Sequence, residues 1–96
     1  MIRGGAVYIM TNERNTTLYV GVSADLKRRV SQHKTHTNPY SFTARYKLHK
    51  VVYYEGFHTI KEAIHREKQI KAGSREKKIN LINALNPDWN DLFDEL

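Results

Sequence analysis

Tyr8 and Tyr19 stand in two short β-prone runs, Val7-Tyr8-Ile9 and Leu18-Tyr19-Val20-Gly21, and a basic stretch carrying Arg28, Arg29 and His33 follows the second run. Two phenols on paired strands beside a cation-rich helix can hold a phosphodiester while water attacks it. A phenol orients or deprotonates a water when a metal and cationic neighbours favour its ionised form. An arginine stabilises charge developing on the scissile phosphate, and a histidine contacts phosphate or relays a proton. Each tyrosine alone also reads as a half-buried strand aromatic, and His33 alone as a hydrogen-bonded, partly buried histidine. Arg28 points away from the core and reads as solvated charge. Tyr40, Tyr46, Tyr53 and Tyr54 look like packing residues, with Tyr40 also able to stack on a base from its polar loop.

Glu67 supplies the remaining chemistry. At about 100° per residue, Ile60, Ala63, Ile64 and Ile70 mark one stripe of a helix, and Glu67 falls inside it. A carboxylate directed at a core must be paired, hydrogen-bonded or bound to metal. One reading is a salt bridge to a nearby Arg or Lys. The other, preferred beside the cations and phenols, is a ligand for one hard divalent cation such as Mg²⁺, which takes one or two protein carboxylates and keeps several waters. His36, His49, His58 and His65 show no zinc-ligand spacing, and without cysteine there is no thiolate site, disulfide or cysteine nucleophile.

These residues need elements to position them. Gly5 to Met10 and Thr16 to Val22 are β-prone, and the polar Thr11-Asn12-Glu13-Arg14-Asn15 between them predicts an antiparallel hairpin, with two asparagines that tolerate left-handed backbone. Ser23 or Asp25 can cap a helix from Leu26 to about Lys34, with Leu26 and Val30 inward and Arg29 and His33 flanking that face together. Thr35 to Ser41 reads as a loop. Leu48 to Phe57 predicts a third strand, Thr59 a cap for a helix running to Lys71, and Gly73-Ser74 a stop followed by a new cap. The last helix presents Ile79 and Ile82, with Leu81 and Leu85 beside them, and ends before Asn86-Pro87.

The chain has 96 residues, 40% of them hydrophobic, which suits one domain spanning residues 1–96. No apolar stretch approaches the roughly 20 residues that span a bilayer, and Met1-Ile2-Arg3-Gly4-Gly5 lacks a charged-then-apolar signal segment. No membrane association is expected, and the lack of cysteine fits a cytoplasmic location. Sixteen Lys and Arg against ten Asp and Glu give a net charge of +6, which favours phosphate backbones as partners. Lys27, Arg28, Arg29 and Lys34 form one cluster and Lys61 to Lys78 another, while Asp88, Asp91, Asp94 and Glu95 make the last stretch acidic.

Taken in order and spacing, these residues resemble the GIY-YIG nuclease superfamily, most closely its small single-domain bacterial members. Ala6-Val7-Tyr8 stands at the first signature, Tyr19-Val20-Gly21 at the second, Arg29 at the helix arginine and Arg66-Glu67 at the metal-binding glutamate. Ala6 and Val7 replace the glycine and isoleucine of the first signature, and Val20 the isoleucine of the second, with no reactive group lost. The resemblance implies an α+β fold, a three-stranded antiparallel sheet flanked by helices. It also implies a metal-dependent endonuclease with DNA as the expected nucleic acid and one divalent cation, Mg²⁺ or Mn²⁺, as cofactor. Carried onto this chain, it makes Tyr8 the general base or water-positioning phenol, Tyr19 its partner, Arg29 the phosphate stabiliser and Glu67 the metal ligand. His33 matches a position where some members carry a functional histidine, and Asn86, with Asn90 as second choice, is expected to complete the site. With no appended domain, specificity falls to the domain itself or to a protein partner. The alternatives are a nucleic-acid-binding module with little hydrolysis and a protein-interaction adaptor in which Glu67 and Arg29 form a structural ion pair.

Overall fold

The computed structural model describes residues 4–35 and 41–96. His36 and Tyr40, with most of the expected loop, lie outside them. β1 (Gly5–Thr11) is the centre of a three-stranded antiparallel sheet, flanked by β2 (Leu18–Ser23) and β3 (Lys50–Phe57) in the order β2-β1-β3. All of β1 is buried because both faces of the sheet are covered. On one face Ala6, Tyr8 and Met10 pack against Leu26 and Val30 of α1 (Leu26–Lys34), together with Leu48, Val51 and Leu92. On the other, Val7 and Ile9 meet Ala63 and Ile70 of α3 (Ile60–Ala72) and Ile82 of α4 (Arg75–Leu85). Each fully buried aliphatic side chain contributes roughly 1.5–3 kcal/mol. Among the described residues no helix is long and apolar enough to cross a membrane.

The hairpin turn is built by Asn12. Its Oδ1 accepts from Thr16 N (2.8 Å) and Thr17 N (3.2 Å), and its Nδ2 donates to Thr16 Oγ1 (2.7 Å). Those amides are withdrawn from the ladder, so β2 starts at Leu18 and not at Thr16 as its β-propensity predicts. Asn15 takes the left-handed backbone, with φ of 59°.

Capping follows the sequence closely. Asp25 accepts from Arg28 N at 3.2 Å to begin α1, Thr59 from Glu62 N at 3.1 Å to begin α3, and Ser74 from Lys77 N at 3.2 Å to begin α4. A short helix, α2 (Phe42–Arg45), capped by Ser41, was not expected, since four residues are too few to show a period. Two apolar faces differ from expectation. Ile60 and Ile64 are 38% and 39% exposed, so α3 turns the line Ala63, Glu67 and Ile70 toward the sheet, and Leu85 projects into solvent from α4. Tyr46, expected in packing, is also exposed, whereas Tyr53 is buried.

Candidate functional site

Tyr8 lies in the middle of β1, opposite Gly21 on β2 and Tyr54 on β3, with its side chain on the α1 face. Gly21 makes room for it. A Cβ at that position would lie 2.5 Å from both the Cζ and the phenol oxygen of Tyr8, a distance no folded chain accommodates without moving the ring. Ala6, which stands where the first signature has glycine, is buried without difficulty across from Gly56 and Ser23.

The Tyr8 phenol is 2.9 Å from His33 Nε2, and His33 Nδ1 is 2.7 Å from Thr43 Oγ1. Tyr19 completes the cluster, its ring centroid 6.3 Å from that of Tyr8 and 5.7 Å from that of His33. Helix α1 delivers His33 one turn beyond Arg29 on the same side. Burial pushes the Tyr8 phenol well above its ordinary value of 10.0, and Tyr19 adds to that push. The Arg29 guanidinium draws it back down, while Glu67 adds a further upward push. Burial outweighs Arg29, so Tyr8 is a neutral phenol at physiological pH, contrary to the ionised form that cationic neighbours alone would favour. In the tautomer with the His33 proton on Nδ1, directed at Thr43, Nε2 accepts from the neutral phenol.

Four expected residues, Tyr19, Arg29, His33 and Glu67, therefore converge on the Tyr8 phenol. Glu67 faces inward as its helical phase predicts, with its side chain 15% exposed, and pairs with Lys71 on the next turn at 3.2 Å. Its ion-pair partner is Lys71 and not Arg29, the partner named in the adaptor reading. Among the described residues no three His, Asp or Glu side chains gather to enclose a metal. The Glu67 carboxylate, near enough to Tyr8 to raise its phenol, still fits one hard cation held mainly by water and substrate phosphate, because Mg²⁺ typically takes only one or two protein carboxylates.

Asn86 is placed elsewhere, against the expectation that it completes the site. It is buried, its Nδ2 donates to Val52 O (3.1 Å) and Asn90 O (2.8 Å), and its Oδ1 accepts from Asn90 N (3.1 Å). These bonds fasten the segment after α4 to β3 and leave the amide no donor for a substrate. Asn90 enters this arrangement through its backbone. Lys34, expected to contact phosphate backbones, is instead bound to Asp91 and donates to His49 O at 2.7 Å.

Sequence reasoning missed Thr43 and Gly21. Thr43 carried no signal, since it sits in a one-turn helix with no periodicity. Gly21 was visible as part of the signature, but its need is set by the neighbouring strand's ring.

A family model described as the GIY-YIG catalytic domain matches residues 4–80. The chain is 34% identical to a UPF0213 protein of Staphylococcus saprophyticus over 70 residues, 73% of this chain and 84% of that one. It is 36% identical to a UPF0213 protein of Staphylococcus aureus over 66 residues, 69% of this chain and 79% of that one. The solution NMR structure of a UPF0213 protein from Bacillus halodurans superposes with a TM-score of 0.56 at 24% identity, covering 91% of this chain and 90% of that one, a likeness of fold.

Proposed function

Because the chain belongs to the GIY-YIG catalytic domain family, we propose that it is a metal-dependent endonuclease that hydrolyses phosphodiester bonds in nucleic acid, with DNA as the expected polymer. The observation that carries this reading is the Tyr8 phenol, hydrogen-bonded to His33 and within the electrostatic reach of Arg29 and Glu67. In the proposed step a water oxygen bonds to phosphorus while the bond to the leaving oxygen breaks. Once bound substrate brings water to the phenol, which is fully buried in this structure, the water proton goes to the Tyr8 oxygen as the phenol's own proton passes to His33 Nε2, Thr43 holds the imidazole in the receiving orientation, and the leaving oxygen takes a proton from solvent. Arg29 stabilises the negative charge that develops on the phosphate, and Tyr19 positions the Tyr8–His33 pair by packing against both rings. Glu67 would hold one Mg²⁺ or Mn²⁺, which when bound supplies Lewis-acid stabilisation of the phosphate.

The test is incubation of the purified protein with labelled single-stranded, duplex and branched DNA and RNA, with Mg²⁺, Mn²⁺ or EDTA. Cleavage with either metal and none in EDTA is the expected result. Binding across the panel without any cleavage, at several pH values and with both metals, would replace this reading with that of a binding module.

A further inference from the structure

Beside the Tyr8–His33 pair the structure exposes aromatic surface that neither the core nor the proposed hydrolysis uses. The ring of Phe42 stacks on Tyr19 at 5.8 Å and 28°, and the ring of Tyr46 lies 4.6 Å beyond Phe42. The two are 45% and 44% exposed, among the most exposed large hydrophobic residues of the described chain. The short helix α2 holds them side by side, and the Arg45 guanidinium lies 5.8 Å from the Tyr46 ring centre. Past Tyr46 the ladder opens into a cavity of about 530 Å³ between the β1–β2 turn and the start of β3, lined by Arg14 and Lys47 as well as by Glu13 and His49, which pair with each other. An exposed aromatic track therefore runs from Tyr19, which covers the buried Tyr8, through Phe42 and Tyr46 into a cationic cleft.

We propose that this ladder is a stacking platform for unpaired bases next to the scissile phosphate, so that the substrate is a nucleic-acid strand with exposed bases and not continuous duplex. The proposal rests on the nuclease reading for its scissile phosphate. In a duplex the base faces are already covered by their neighbours, whereas a single strand can offer each face to an aromatic side chain. Arg14, Arg45 and Lys47 supply charge complementary to the phosphates that accompany those bases.

Fluorescence anisotropy of the full chain in EDTA separates stacking from cutting. Three probes of equal length are used at one salt concentration: a labelled single strand, the same strand with abasic sites, and a blunt duplex. The intact single strand should bind about tenfold or more tighter than the other two, the gain of one or two stacked bases. Tyr46→Ala should lose most of that preference and change abasic binding less than about twofold. Equal affinity of the native protein for intact and abasic strands would overturn the proposal, and that comparison needs no variant. Tyr46→Ala weakening all three probes alike would overturn it too, with Tyr46→Phe, which keeps a ring, as the control for folding. Cleavage in Mg²⁺ is read separately. An abasic effect without cleavage of any substrate upholds the platform and removes the nuclease reading, while cleavage without an abasic effect does the reverse.

Discussion

At Glu67 the structure separates charge from stability. Its ion pair with Lys71 joins two residues one turn apart on α3, with the Lys71 side chain 53% exposed, and such pairs contribute about 0–1 kcal/mol. Glu67→Gln keeps the size and removes the charge a cation requires. The melting temperature should therefore stay almost unchanged while cleavage falls about a hundredfold or more, because several kcal/mol of Lewis-acid stabilisation is lost. Both are measured on one preparation, and a large melting-temperature drop with activity retained per folded molecule would show Glu67 to be structural. Tyr8 couples to pH instead. Its phenol is held protonated above its ordinary value of 10.0, chiefly by burial. A raised value means that its contribution to stability is complete below pH 10, where folded and unfolded chains are both protonated, and is lost as pH rises further and only the unfolded chain ionises. Tyr8→Phe should abolish cleavage, cost about 1–2 kcal/mol through the lost bond to His33, and flatten the fall of melting temperature above pH 10. Tyr53 and Tyr54, also raised chiefly by burial, leave a residual slope.

At the scale of elements, two positions control how strand and helix present these groups. Gly21→Ala drives a methyl against the Tyr8 ring, so the variant should lose roughly 1–3 kcal/mol and, with the phenol displaced from His33, most of its cleavage. A crystal structure or NOE pattern of the variant with the Tyr8–His33 contact intact would count against that account. Asn86→Ala should behave in the opposite sense. It removes one hydrogen bond to β3 and two that shape the segment after α4, costing about 2–4 kcal/mol, while cleavage per folded molecule is retained. Denaturant melts paired with single-turnover rates distinguish the two variants. The pair also marks where local sequence stops being informative. An asparagine before proline after a helix reads equally well as a site residue or as a clamp, and its partners, Val52 and Asn90, decide between them.

For the whole molecule the net charge of +6 predicts binding to nucleic acid that weakens steeply with salt, because each phosphate contact releases counterions. The cations do not contribute equally. Lys27 and Arg28 are exposed on α1, and Lys61, Lys68 and Lys77 on α3 and α4, whereas Lys34 is committed to Asp91 and to His49 O. In an anisotropy titration between 50 and 200 mM salt, a range over which several phosphate contacts change affinity by about a thousandfold, Lys27→Ala and Arg28→Ala should each reduce the logarithmic salt slope by about one unit. Lys34→Ala should leave the slope alone and lower the melting temperature. An unchanged slope in all three variants would remove these residues from the binding surface.

The order of the three strands and the three longer helices, the caps at Asp25, Thr59 and Ser74, and the inward phase of Glu67 were all present in the chain, because each depends on neighbours within a turn or on a period of two or 3.6. So were the identities of Tyr8, Tyr19, Arg29 and His33 as a group, through the spacing of two strands and a helix. The joining of these groups was decided by tertiary structure. The hairpin register sets Tyr8 against Gly21, and the packing of α1 on the sheet brings His33 within hydrogen-bond distance of the phenol. The turn into α2 places Thr43 behind the imidazole and Phe42 on Tyr19. Burial in that assembly keeps Tyr8 neutral against the pull of Arg29, a balance no local pattern encodes, since desolvation depends on every element that closes over the ring.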